Sequence, residues 1–300
     1  MTDSFSASIA GYSDWLPFSP GRNKGPATVH RYVGIVTRFA AWCQEHGRAS
    51  FAELTKADLR AWVNSLKDGQ AAPGTKALSW WAIRSLFRYL SEEEGIPDIA
   101  HSITMHAPPI SDRISHLDAG DVRLLLRACQ TARERAIIRV FLDSGLRISE
   151  AASLKVCDVI VDNLRSRRLI VTGKGGKTRA VVIGTQTAME LRRYLRERQK
   201  SPWAESEALW LGARGPLTTS GLRELVEATG RRASLKVHPH LLRHTWAHHY
   251  RLNGGQTDNL VYLAGWEGPA MALRYGRSAA AERAEMEARG LSLIDRLAER

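Results

Sequence analysis

A chain of 300 residues allows two ordinary domains, each able to bury a core of its own. Its net charge of +12 is unevenly placed: residues 1–110 hold 11 Lys/Arg against 10 Asp/Glu, and residues 111–300 hold 32 against 21. A localised basic excess suits contact with a phosphate backbone or, equally, a solvated basic surface. No run reaches the roughly 18 apolar residues that a membrane helix needs, so a spanning helix is excluded.

Arginines outnumber lysines 34 to 9, which fits bidentate phosphate recognition but is also what codon bias would produce. Cys43, Cys129 and Cys157 have neither paired nor metal-type spacing and read as buried free thiols in a reducing compartment. The start Met1-Thr2-Asp3-Ser4 lacks a basic stretch followed by an apolar run, so no signal peptide is expected. Together these readings predict a soluble cytoplasmic protein.

In chain order, residues 1–25 are rich in Ser, Gly and Pro and are predicted to be an irregular leader. A helical domain follows over 26–107. Val29, Tyr32, Val33, Val36 and Cys43, with Phe39 and Ala40, fall at helical spacing. Thr55-Lys56-Ala57-Asp58 has the form of a capping box opening a helix through Trp62 and Val63. Ile83, Leu86, Phe87 and Leu90 form a third apolar face. The chain divides near Pro108-Pro109, with a linker over 108–116.

The second domain, 117–289, opens on another helix start at Asp118-Ala119-Gly120-Asp121. Ala136 to Leu142 is apolar and helical. Two β-rich runs, Arg168 to Thr172 and Arg179 to Ile183, flank Gly173-Lys174-Gly175-Gly176-Lys177-Thr178, a hairpin signature with glycines in the turn. Helical patterns then continue to the C-terminus. Ala279 to Ala288 reads as a helix with little apolar face, broken at Gly290, and Leu291, Leu293, Ile294 and Leu297 form a short stripe in the tail 290–300. The fold class expected is mainly α with a small antiparallel β-sheet.

Several side chains could handle a phosphodiester. In-line attack on phosphorus builds negative charge on the nonbridging oxygens, so catalysis is chiefly positioning and electrostatic stabilisation. Guanidiniums are permanently charged forks suited to that task; Arg147 stands in Ser144-Gly145-Leu146-Arg147-Ile148-Ser149-Glu150, and Arg243 in His240-Leu241-Leu242-Arg243-His244-Thr245. His240 precedes Arg243 by one helical turn, and an imidazole titrates near neutrality. Glu150 follows Arg147 by three residues, Lys174 sits at the hairpin tip, and Trp266 lies in Ala264-Gly265-Trp266, nine residues before Tyr275.

That combination resembles the tyrosine recombinase family of DNA strand-exchange enzymes, which includes the phage integrases, the Xer proteins and Cre. The likeness covers roughly the last 170 residues by motif and the first 110 by pattern. It implies a two-domain architecture, with a helical core-binding domain gripping one face of DNA and an α+β catalytic domain taking the other. No additional arm-site-binding module is expected ahead of it. The resemblance assigns Tyr275 as nucleophile and Arg147 and Arg243 as phosphate clamps. It gives His240 the tyrosine proton or the orientation of the phosphate, and makes Lys174 the acid for the departing 5′ oxygen. Glu150 holds the cluster's geometry from behind or is an ordinary helix-surface glutamate. Many members have histidine where Trp266 stands, whereas Cre has tryptophan; an indole donates a hydrogen bond but carries no proton.

The activity so implied is site-specific recombination through a covalent 3′-phosphotyrosine and a Holliday junction, without metal, ATP or nicotinamide. The partners implied are double-stranded DNA sites and the protein itself, as a tetramer on two sites, with room for an accessory recombinase or directionality protein. The tail would dock on a neighbouring protomer, or fold back on its own domain.

Two other functions stay open on the sequence: a type IB topoisomerase-like nicking and closing enzyme, and a non-catalytic DNA-binding regulator of the same fold. A metal site on His240, His244 and His248, with His238 and His249 nearby, lacks an internal Glu and any Cys or acidic third ligand. His244 and His248 therefore read as packing or solvent-facing residues.

Overall fold

The computed structural model describes residues 4–19, 24–68, 73–104, 114–163 and 166–290. It separates into two compact units, residues 1–110 and 111–300. The predicted linker lies mostly outside the described residues, as do residues 291–300 of the tail.

The first unit is built from α1 (Ser4–Trp15), α2 (Pro26–Glu45), α3 (Lys56–Asp68) and α4 (Pro73–Glu93). Its core takes Val36, Phe39 and Cys43 from α2, Leu59 and Trp62 from α3, and Ile83, Leu86, Phe87 and Leu90 from α4. Val29, Tyr32 and Val33 pack against that core half-buried. The capping box ahead of α3 forms as its sequence indicates. The Thr55 N–H donates to Asp58 Oδ2 at 2.8 Å, and the Asp58 N–H donates back to Thr55 Oγ1 at 3.3 Å. The leader is not irregular: α1 buries Phe5 and Tyr12 in this core, with Phe5 edge-on to Phe51 at 4.6 Å. Partnering of these two aromatic rings outweighs the turn-forming composition around them.

The second unit begins with α5 (Ala119–Arg127), α6 (Ala132–Ser144) and α7 (Ile148–Ser153). Asp118 caps α5 by accepting from the Asp121 N–H at 2.8 Å. Helix α6 buries Ala136, Ile137, Ile138, Val140 and Phe141 at the centre of the core. It stops at Gly145, whose φ of +59° suits glycine; a Cβ there would lie 1.9 Å from the Trp246 ring. Next comes an antiparallel sheet of β1 (Val159–Asn163), β2 (Ser166–Thr172) and β3 (Thr178–Val182), in that spatial order. The hairpin pairs Leu169 with Val181 and Thr172 with Thr178, and Gly175 and Gly176 turn it with positive φ. Strand β1 was not legible in Val159-Ile160-Val161, because so short an apolar run fits helix and strand alike.

Helix α8 (Thr185–Arg198) packs on α6, and β4 (Leu211–Gly212) pairs with β5 (Gly215–Pro216). The last layer is α9 (Thr219–Arg232), α10 (Pro239–Leu252), α11 (Thr257–Ala264) and α12 (Ala270–Gly290). Helix α12 starts well before Ala279 and so carries Tyr275 within it. Cys43 and Cys129 are buried free thiols, but Cys157 is exposed, contrary to expectation, because it falls in a short turn before β1.

Candidate active site

Four local stops bring the polar residues together. The left-handed cap at Gly145 turns the chain so that Arg147 becomes the N-cap of α7, with Glu150 one turn on and buried. Strand β3 alternates, and its inward positions are Arg179 and Val181. His238 caps α10 by accepting from the Leu241 N–H at 3.1 Å, and α10 then presents His240, Arg243 and His244. Gly265, at φ +61°, ends α11 and sets Trp266 beside α12.

Arg243 is 3% exposed and gives its two terminal nitrogens to backbone carbonyls, Gly145 at 2.6 Å and Ala264 at 2.8 Å. Burial, then repulsion from Arg147, pushes its pKa down to about 10, so it stays charged at neutrality. Arg147 is more open, its side chain 40% exposed. It donates to Glu150 Oε1 at 2.8 Å and to the Gly265 carbonyl at 2.9 Å. Burial alone would raise the Glu150 carboxyl. Bonds from Arg179 and then Arg147 overcome it and hold Glu150 below its ordinary value.

Tyr275 is 1% exposed and stacks on Trp266, with centroids 5.5 Å apart and planes within 7°. The Arg243 guanidinium carbon lies 5.4 Å from the centre of the Trp266 ring. Burial pushes the Tyr275 phenol up to about 12, against the pull of Arg243 and Arg274. Its hydroxyl hydrogen-bonds His244 Nδ1. Burial, and after it the neighbouring His240 and Arg274, push the His244 pKa down to about 4, so the imidazole facing the phenol is neutral. His240, exposed, meets the His244 ring edge-on at 4.0 Å, and its pKa is lowered by partial desolvation first and Arg243 second.

His244 is thus neither a packing nor a solvent-facing residue; it is the imidazole on the tyrosine hydroxyl, whereas the resemblance assigned His240 either the tyrosine proton or the orientation of the phosphate. Its spacing of four from His240 put both on one helix face, which was a readable signal. Arg179 also acquires a role that its place beside the hairpin motif did not reveal. An arginine at an inward strand position needs a buried counter-charge, and that alternation could have flagged it. Arg147, Glu150, Arg243, Trp266 and Tyr275 come together with both histidines. Lys174 opens the hairpin turn, and its side chain lies outside the described residues.

Of the other tyrosines, Tyr12 and Tyr89 lie in the first unit's core, and Tyr194 donates to the Leu209 carbonyl at 2.9 Å. His248 turns away from His244 toward Glu282 at 2.9 Å and stacks on His116 at 3.5 Å. Among the described residues, His116, His248 and Glu282 are the trio whose ligand atoms come within 4.8 Å of one another. The two imidazoles lie nearly parallel, so their in-plane lone pairs run side by side rather than converge on one ion.

The Phage integrase family profile matches residues 115–282, and a phage integrase N-terminal SAM-like domain profile matches residues 15–95. The chain belongs to the phage integrase family. Among relatives of this integrase-family chain, the tyrosine recombinase XerD of Corynebacterium glutamicum is 32% identical over 254 residues, 78% of this chain and 81% of that protein. The tyrosine recombinase XerC of Oceanobacillus iheyensis is 28% identical over 263 residues, 82% and 84% of the two chains. Similar solved folds include the XerH recombinase in a post-cleavage complex with its difH substrate, at TM-score 0.68 and 19% identity over 92% of this chain and 93% of that one. A lambda integrase dimer on a core site gives TM-score 0.70 and 17% identity over 91% and 95%.

Proposed function

We infer that the protein is a tyrosine site-specific recombinase, cutting and rejoining DNA through a covalent 3′-phosphotyrosine and a Holliday junction. One observation carries the reading. A tyrosine hydroxyl sits on a neutral imidazole, with its ring stacked on an indole whose face meets the buried Arg243, and Arg147 is near enough to repel that guanidinium. The matched Xer relatives favour it over a topoisomerase or a non-catalytic regulator.

In this reading Arg147 and Arg243 clamp the nonbridging oxygens of the scissile phosphate and stabilise the charge that builds there. The Tyr275 oxygen attacks phosphorus in line, with His244 accepting its hydrogen bond and the proton passing on to His240. The bond to the 5′ oxygen breaks, and Lys174 supplies the proton that makes a hydroxyl of the leaving group. A 5′-hydroxyl from a partner strand later attacks the ester by the reverse path, so the bond energy is conserved and no cofactor is needed. With Tyr275 buried as it is, the phenol must be uncovered before it can attack, and DNA or a second protomer would supply that shift.

The substrate is double-stranded DNA and the working unit several protomers; related structures include a lambda integrase tetramer bound to a Holliday junction. A first domain that takes in α1, a catalytic domain over 117–289, docking of the tail 290–300 on a neighbour, an accessory recombinase or directionality protein, and a working place at the cytoplasmic nucleoid belong to the same reading. Among the described residues no helix is long and apolar enough to cross a membrane.

The test uses a nicked duplex carrying the selected site, so that cleavage traps the protein on the 3′ end. A denaturation-resistant protein–DNA band and strand exchange between two site-bearing duplexes are expected. Relaxation of any supercoiled plasmid, without a preferred site, would instead mark a topoisomerase. No covalent band at all would mark a regulator.

A further inference from the structure

We propose that Arg179 is a positioning residue for this strand-transfer site: it neutralises Glu150, leaving the charge of Arg147 free for the phosphate, and fixes the turn that carries Trp266. The proposal rests on the recombinase reading and adds a residue that the phosphate chemistry does not itself call for.

The geometry is a closed circuit. Arg179 and Glu150 are both buried, with side chains 7% and 4% exposed. The Arg179 fork meets both carboxylate oxygens, Oε1 at 3.1 Å and Oε2 at 3.0 Å, and its Nε donates to the Leu263 carbonyl at 2.8 Å. Each Glu150 oxygen takes a second bond from Arg147: Oε1 from the guanidinium at 2.8 Å, Oε2 from the backbone N–H at 2.9 Å. The other end of the Arg147 fork reaches the Gly265 carbonyl. The turn 263–265 is therefore gripped from both sides, by Arg179 at Leu263 and by Arg147 at Gly265. A Cβ on Gly265 would lie 2.8 Å from Arg179 and 3.4 Å from Arg147, so only glycine lets the turn come this close.

Charge counting gives the circuit its purpose. A buried carboxylate demands a full counter-charge. If Arg147 were the one arginine on Glu150, that pair would be neutral and the phosphate would meet a spent guanidinium. With Arg179 present, Glu150 and Arg179 cancel, and Arg147 keeps its positive charge and an open edge while Glu150 still orients it. The same bonds set the backbone just ahead of Trp266, on which Tyr275 stacks.

The test measures single-turnover covalent cleavage and half-site binding for the wild type, Arg147→Ala, Arg179→Met, the Arg147→Ala/Arg179→Met double variant, and Glu150→Gln/Arg179→Met. Arg179→Met should cleave about 100-fold more slowly, the scale of loss when a clamp is misplaced, with half-site binding close to wild type. The Arg147→Ala/Arg179→Met variant should lose clearly less than the product of the two single factors, because Arg179 acts in part through Arg147. Glu150→Gln/Arg179→Met, which buries no lone charge, should regain part of the lost rate; a merely structural role for Arg179 would lower half-site binding along with the rate. That variant also carries the comparison if Arg179→Met fails to fold. Wild-type cleavage by Arg179→Met, or a double variant that loses the product of both single factors, overturns the proposal. Absence of covalent complex in the wild type would instead strike the recombinase reading.

Discussion

The two units spend their interiors differently. Among the described residues of the first, the buried polar ones are Ser8, Ser19 and Ser79, and the rest of the core is apolar and aromatic. The second buries Glu150, Arg179, Arg198, Arg243 and His248. Burying charge is a poor way to gain stability, so each such residue asks for another reason. Arg198 has one that is purely architectural: it donates to the carbonyls of Ala204, Ser206, Ala208 and Leu209 and holds a stretch without regular structure in place. The others surround Tyr275 or, with His248, tie α10 to Glu282 on α12. The contrast teaches that, among the described residues, a buried ionisable side chain anchors loop carbonyls, joins two helices or stands around Tyr275.

Substitutions can break that contrast. The largest effect is expected for Tyr275→Phe, which should abolish covalent attachment on the nicked duplex while half-site binding stays near wild type. A persisting covalent band would move the nucleophile elsewhere. Arg243→Ala should slow cleavage by about 10²–10³, the usual loss of one transition-state donor. It should also lower stability, since the Gly145 and Ala264 carbonyls lose their donor. Replacing the 5′ bridging oxygen with sulfur gives a leaving group that needs no proton. It should therefore rescue Lys174→Ala and not Arg243→Ala, and equal rescue of both would end the general-acid role of Lys174.

In the first unit the currency should change. Phe39→Ala, at a fully buried ring edge-on to Trp62 at 5.0 Å, should cost about 3–5 kcal/mol in denaturant unfolding. Once DNA is bound, its cleavage rate should be unaltered; a slowed rate there would blur the division between the units.

The smallest effect concerns acid. The His244 pKa lies well below that of a free imidazole, so between pH 6.5 and about 4 the unfolded chain takes up a proton that the folded one refuses. The stability His244 contributes is present above 6.5 and is lost as pH falls toward 4; His240 and His248 shift in the same direction. His244→Gln should therefore flatten, without abolishing, the fall in melting temperature between pH 7 and 5. An unchanged slope would mean that His244 is not held neutral by its surroundings.

Much of this was legible from local chemistry. The cap at Thr55, the start at Asp118 and the glycine turn of the hairpin are decided within four to six residues, where side chain and backbone compete directly for one hydrogen bond or one φ. The spacings around Arg147, Arg243 and Tyr275 were readable because a phosphate needs those side-chain types whatever surrounds them. Helix α1 was hidden because the serines and glycines of the leader read as irregular chain, although Phe5, Ile9, Tyr12 and Leu16 fall at helical spacing and meet the aromatic core.

The sequence by itself determined which side chains can bind a phosphate and attack it, and where its helices and hairpin begin. Only the tertiary structure decided which histidine meets the tyrosine, that Arg179 stands behind Glu150, and that Tyr275 is covered. Those outcomes depend on how α7, β3, α10, α11 and α12 pack. The buried arginines around Glu150 and Tyr275 are satisfied by partners 21 or more residues away, Arg179 by Glu150 and Arg243 by Gly145 and Ala264, and no local pattern encodes such distances.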